Sequence, residues 1–178
     1  REFWICLNHD YWISYISDIM VALANAGIAS IHMDAAKASV CYCSICENKW
    51  SAYITNKTGQ DISIAEANQK DGLPRITTYS AMYRYQCVID FLRKAIREVK
   101  QINPDFGIET TNHMKDRSYY FWINGRDVFD IACLEIDTYY VDHFPPLAEA
   151  LTSYRLCLAA MGKGKTAWAL NKNTRRAS

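Results

Sequence analysis

Gly27-Ile28-Ala29-Ser30-Ile31-His32-Met33-Asp34 is the stretch on which the fold turns. Ile28 to Met33 is too short for a helix and almost wholly apolar, and a glycine and an aspartate bound it. That is the form of a strand buried on both faces of a parallel sheet. Immediately upstream, Asp10 to Ala26 sets Trp12, Ile16, Ile19, Met20 and Leu23 at helical spacing, and Gly27 supplies the stop. A helix that feeds straight into a buried strand is half of a βαβ unit.

The alternation continues downstream. Glu47 to Tyr53 reads as a helix, Asn56 to Lys70 is largely polar, and Asp71-Gly72 with Pro74 marks a turn. Ser80 is the expected cap of a long helix whose stripe is Val88, Phe91, Leu92, Ala95, Ile96 and Val99, ended by Pro104. Phe106 to Thr111 is the next strand, running out at Asn112 and His113. Tyr119 to Ile123 is a short helix, and Phe129 to Ile136 is a strand that carries Glu135 and ends at Asp137. Pro145-Pro146 open a helix through Leu147, Leu151, Tyr154 and Leu158, and Thr166 to Leu170 is the last strand, ending at Asn171. Phe3 to Leu7 is a further apolar run, expected to be the tail of a strand. Strands separated by helices pair in parallel through right-handed crossovers.

Four cysteines supply the chemical signal. Cys6 stands alone, and Cys41, Cys43 and Cys46 form the run Cys-Tyr-Cys-Ser-Ile-Cys. Thiolates so spaced can converge on one ion, with a remote fourth completing the closed tetrahedral set of a structural zinc, and the alternative is four unrelated buried or free thiols. Disulfides between such close neighbours pair poorly because their Cβ vectors diverge. Cys87, Cys133 and Cys157 lie in apolar periodic stretches, where a reduced buried thiol is the default, so a reducing compartment such as the cytoplasm is favoured.

The 178 residues are 50% hydrophobic and 22% charged with a net charge of +1, enough to bury a core and without the basic footprint of a nucleic-acid binder. No apolar run is long enough to span a membrane. Gly162-Lys163-Gly164-Lys165-Thr166 imitates a phosphate-binding loop, but Ala159 stands where that pattern needs glycine, and a helix precedes a strand instead of following one.

Asp34, Asn112, Asp137 and Asn171 each follow a strand-like run, which gathers them on the carboxyl face of a parallel sheet, where barrels hold their active sites. Each alone is equally a helix cap or turn residue. Four or five strands fall short of the roughly 250 residues of an eight-stranded barrel. The expectation is therefore an α/β chain that is either part of a barrel or an open doubly wound domain.

Cys6-Leu7-Asn8-His9-Asp10-Tyr11, the stretch Gly27 to Asp34, and Cys41-Tyr42-Cys43-Ser44-Ile45-Cys46 together resemble the zinc-bearing stretch of family 42 β-galactosidases. They are similar, more closely still, to related glycoside hydrolases whose fourth strand ends in an aspartate shortly before Cys-Tyr-Cys. Asn103-Pro104-Asp105, Thr110-Thr111-Asn112 and Asp130 to Tyr139 resemble the fifth- and sixth-strand regions of that group.

The resemblance implies that residues 1–178 are one incomplete (β/α)8 barrel domain, about strands 4 to 7, of a glycosidase acting on a carbohydrate, with a structural zinc on Cys6, Cys41, Cys43 and Cys46. Glycoside hydrolysis needs a carboxylic acid and a carboxylate across the scissile bond. Asp34 with Glu135 or Asp137 are the candidates, expected roughly 5 to 10 Å apart in one cleft. Asn112 and His113 are candidates for sugar hydroxyls and Tyr139 for ring stacking. Family members carry Asn-Glu after the fourth strand and a glutamate at the seventh, where this chain has Asp34-Ala35 and Asn171. The alternative is accordingly a zinc-stabilised carbohydrate-binding or interaction domain without catalysis. A partial barrel leaves sheet edges bare, so an isolated chain is expected to be poorly soluble, a homo-oligomer, or dependent on zinc.

Overall fold

The computed structural model describes residues 5–34, 38–69, 74–113, 118–137 and 147–172. Helix α1 (Asp10–Asn25) starts at His9, whose Nδ1 accepts the Tyr11 amide at 3.2 Å, with Asp10 favouring the positive helix end. It stops because Gly27 takes φ +85°, which lets the Ile28 amide turn back to the Leu23 carbonyl at 3.0 Å. Strand β1 (Ser30–Met33) follows, then α2 (Ser44–Thr58), α3 (Ile64–Ala67), α4 (Pro74–Ile102), β2 (Gly107–His113), α5 (Ser118–Gly125), β3 (Ile131–Asp137), α6 (Leu147–Met161) and β4 (Thr166–Lys172).

The four strands form one sheet in the order β1-β2-β3-β4, every pair parallel. Right-handed crossovers between consecutive parallel neighbours put the helices that pack on the sheet on one face. A doubly wound sheet needs a point where the strand order reverses, and none occurs among the described strands. The burial pattern agrees: Ile108, Ala132, Leu134 and Ala167 share one core with Met20 of α1, Leu92 and Ala95 of α4, Phe121 and Trp122 of α5, and Cys157 of α6. Successive strand residues face opposite ways, so Glu109, Cys133 and Trp168 belong to the face away from the helices. Gly125 makes room at one corner of this core, since a Cβ there would lie 2.3 Å from the Phe129 ring.

A smaller lobe stands apart from the sheet. Cys46, Trp50 and Ile54 of α2, Ile64 and Ala67 of α3, and Ile76 of α4 are its buried residues. Polar ties hold it together: Trp50 Nε1 donates to the Ile62 carbonyl at 2.6 Å, and the Ile64 amide to Glu47 at 3.3 Å.

Three expectations need correction. Strand β1 is not buried on both faces: Ser30 and His32 are exposed and Ile31 and Met33 half-buried, because β1 pairs only with β2 among the described strands. Helix α4 begins at Pro74 instead of after Ser80, and Ser80 lies buried inside it, its hydroxyl donating to Asn68 Oδ1 at 2.9 Å in place of a cap. Ile5 to Leu7 joins no strand and runs into the turn that precedes α1, while Phe3 lies outside the described residues. The Asp71-Gly72 turn and Pro145-Pro146 also lie outside them.

Candidate metal centre and strand-end site

Cys6 reaches the centre from the turn before α1, Cys41 from the segment before α2, and Cys43 and Cys46 from the N-terminus of α2 itself. Their four sulfurs lie within 4.8 Å of one another, with Cys6 Sγ 3.6 Å from Cys43 Sγ and 3.5 Å from Cys46 Sγ. Those gaps are far beyond the roughly 2.05 Å of a disulfide. They match the roughly 3.8 Å edge of a tetrahedron with metal–sulfur bonds of about 2.3 Å. The four cysteines can hold one metal ion.

The electrostatics of the cluster fit a cation. Burial pushes the Cys6 and Cys46 thiols up. Burial opposes ionisation of Cys43 as well, but the nearby Cys46 amide and the thiols of Cys41, Cys6 and Cys46 outweigh it and bring Cys43 down to about 7. Cys43 occupies the N-cap of α2 without a full capping hydrogen bond, so its sulfur stays available while the helix end favours its negative charge. A divalent ion deprotonates coordinating thiols outright.

Around the sulfurs, Asn8 Nδ2 donates to Cys46 Sγ at 3.4 Å and Tyr83 donates its hydroxyl to the Cys46 carbonyl at 3.3 Å. A cavity lined by Asn8, Cys41, Cys46, Trp50, Tyr83 and Arg84 adjoins the cluster, with room for roughly two waters.

The other candidate residues lie on the sheet. Asp34 directly follows β1 and is exposed. Asn112 and His113 end β2, Glu135 and Asp137 lie in the last three positions of β3, and Asn171 is next to last in β4. Because the strands are parallel, all these backbone positions lie at one edge of the sheet, with His113 in register with Glu135 and Asn171 with Ile136. The side chains of Asn112, His113, Glu135 and Asp137 lie outside the described residues, and Tyr139 does so altogether.

Two polar residues outside the candidate set, His32 and Glu109, also meet on the sheet. Registered opposite one another, they bring His32 Nδ1 to 3.4 Å from Glu109 Oε1, while His32 Nε2 lies 2.9 Å from Thr111 Oγ1. Glu109 Oε1 is buried without a well-aligned hydrogen bond among the described residues. The available signal was alternation, His32 between Ile31 and Met33 and Glu109 beside Ile108, which marks a half-buried strand with a polar face.

No family model matches the sequence, and no curated protein matches it. Among solved structures, the beta-galactosidase from Bacillus circulans sp. alkalophilus matches 91% of this chain with a TM-score of 0.64 and 14% identity. The match spans 29% of that protein's chain. At this identity the likeness is one of fold.

Proposed function

We infer that this chain is a segment of a (β/α)8 barrel from a β-galactosidase-like glycoside hydrolase, with a structural zinc on Cys6, Cys41, Cys43 and Cys46. The observation that carries the reading is the singly wound sheet: consecutive parallel strands, helices on one face, and polar positions at the carboxyl ends, superimposable over 91% of the chain on a beta-galactosidase. Four sulfurs leave no position for water or substrate, so the zinc holds structure and takes no part in catalysis.

Asp34 with Glu135 or Asp137 is the proposed carboxylate pair, one member protonating the leaving oxygen and the other serving as nucleophile or base. β1 and β3 are separated by one strand, hence by about 9 to 10 Å across the sheet. Side chains reaching from strands so spaced can fall within the roughly 5 to 10 Å that covers both retaining and inverting pairs. Asn112, His113 and Tyr139 are the proposed sugar contacts. The edges of β1 and β4, unpaired among the described residues, and Tyr11, Tyr15 and Ile19 exposed along α1, support pairing with further βα units or a second copy.

The test is hydrolysis of an aryl β-galactoside and a panel of other aryl glycosides by the full-length protein, with Asp34→Asn, Glu135→Gln and Asp137→Asn beside the parent. Loss of at least a hundredfold in Asp34→Asn and in one of the β3 variants supports the pair. Hydrolysis unaffected by all three removes it. Sugar binding without hydrolysis by the parent leaves the non-catalytic carbohydrate-binding reading, which the Asp34-Ala35 sequence favours.

A further inference from the structure

Asn8 is a buried amide aimed at two sulfurs. It is 8% exposed, and its Nδ2 donates to Cys46 Sγ at 3.4 Å and to Cys87 Sγ at 3.3 Å. Its orientation is set from the other side, where Lys49 Nζ donates to Asn8 Oδ1 at 2.9 Å. An ammonium can only donate, so the amide oxygen must face Lys49 and the NH₂ must face the sulfurs. The turn bearing Cys6, helix α2 with Cys46 and Lys49, and helix α4 with Cys87 therefore meet at one side chain.

A neutral thiol is a weak acceptor, and a buried amide gains little from it. A thiolate is a strong one, because a hydrogen bond to an ionised acceptor is about twice as strong as a neutral pair. The arrangement is thus matched to Cys46 in its ionised, metal-bound form. Hydrogen bonding to the charged form also stabilises it against attack by protons or electrophiles.

We propose that Asn8, held in place by Lys49, is a positioning residue of the metal centre: its amide fixes the Cys46 thiolate toward the ion and slows both metal loss and reaction of that sulfur. The inference rests on the four cysteines binding a metal. Groups that orient ligands in this way are worth about 10- to 100-fold in metal affinity.

The informative variant is Asn8→Asp, which keeps the shape and the contact with Lys49 but turns an acceptor toward the sulfurs. Zinc affinity of the whole chain is read by competition with a chromophoric chelator, Cys46 alkylation by mass spectrometry, and cobalt substitution by the thiolate charge-transfer band, with far-UV circular dichroism to confirm folding. Asn8→Asp is expected to weaken zinc by 10- to 100-fold, to speed Cys46 alkylation and to shift the cobalt band. Lys49→Met should move all three less and in the same direction, and Cys87→Ser should leave them unchanged. Tight zinc binding and slow alkylation in Asn8→Asp would overturn the role of Asn8 alone, as would a Cys87→Ser variant that loses as much as Asn8→Asp. A parent chain that binds neither zinc nor cobalt would overturn the metal reading together with it.

Discussion

The sheet layer and the cysteine lobe are built on different physical terms. Among the described residues, twenty buried side chains make one continuous core between the sheet and its helices, whereas the lobe buries six. In the larger core, Phe121, Trp122 and Phe129 pack with ring centroids 4.7 to 5.6 Å apart, contacts that water cannot replace. The lobe has Trp50, two isoleucines from α2 and α3, one from α4, and a group of sulfurs that repel one another once ionised. So few buried side chains rarely hold a unit of this kind without a metal or a disulfide, and none of Cys6, Cys41, Cys43 and Cys46 is in a disulfide. On the proposed metal reading, the difference teaches that the lobe's fold belongs to an ion held by its four cysteines, and the sheet's to its apolar surface.

The sharpest way to break that comparison is to remove the ion. Chelation, or Cys46→Ser, should unfold α2 and α3 while β2 and β3 keep their amide protection, because structural zinc in small domains carries about 10 to 16 kcal/mol of apparent binding free energy. Hydrogen exchange resolved by peptide reads both regions at once. Protection of α2 that survives chelation would show the lobe to be self-sufficient.

The complementary perturbation strikes the sheet. Trp122→Ala removes a fully buried side chain and should cost about 3 to 5 kcal/mol of global stability, seen as a fall in the urea midpoint. Zinc stoichiometry of the protein that remains folded should not change, and a parallel loss of zinc would mean that the two regions fold as one.

Acid should separate the regions as well. Asp130 accepts the Ile108 amide at 3.0 Å, Lys165 at 3.0 Å and Lys100 at 3.3 Å at the start of β2 and β3. Burial works to raise its carboxyl, but the Ile108 amide and the two lysines prevail and hold it below the ordinary value. A depressed carboxylate contributes stability that is fully present above its unfolded value of about 3.9 and is lost as pH falls through the folded value. Asp130→Asn should therefore lower sheet stability at neutral pH by about 1 to 2 kcal/mol, a figure already reduced for partial exposure. The same variant should flatten the loss below about pH 4. Equal stability of parent and variant at pH 7 would refute this. If its four cysteines hold a metal, which protons displace from thiolates, the lobe should open at a higher pH than the sheet.

The smallest expected effect lies within the lobe. Ser63 and Glu66 form a reciprocal cap on α3, with the Ser63 amide donating to Glu66 Oε2 at 2.9 Å and the Glu66 amide to Ser63 Oγ at 3.2 Å. Ser63→Ala should cost about 1 kcal/mol. The loss should be visible as faster exchange in α3 and absent from the midpoint of the sheet. A shift in that midpoint would tie the lobe to the larger core more closely than their separate packing implies.

The sequence by itself determined the local periods and the ligand types. Met20, Leu92 and Ala132 announced their elements because burial on one face repeats every 3.6 or 2 residues, and Gly27 announced the end of α1 because only its missing Cβ permits the left-handed turn there. Cys41, Cys43 and Cys46 were legible as a metal set because their spacing alone confines three sulfurs to one helix end. What tertiary structure decided was everything that depends on strands and helices meeting. Among the described strands, the unreversed order turned an open choice between two α/β architectures into a singly wound sheet, and pairing of β1 with β2 alone left His32 exposed. Registry joined His32 to Glu109 across 77 residues of chain, and Asn8 was brought between Cys46 and Cys87 from 38 and 79 residues away. No local pattern encodes such partners, because a buried polar side chain is satisfied by whatever the rest of the fold brings to it, and that is settled only when the core closes.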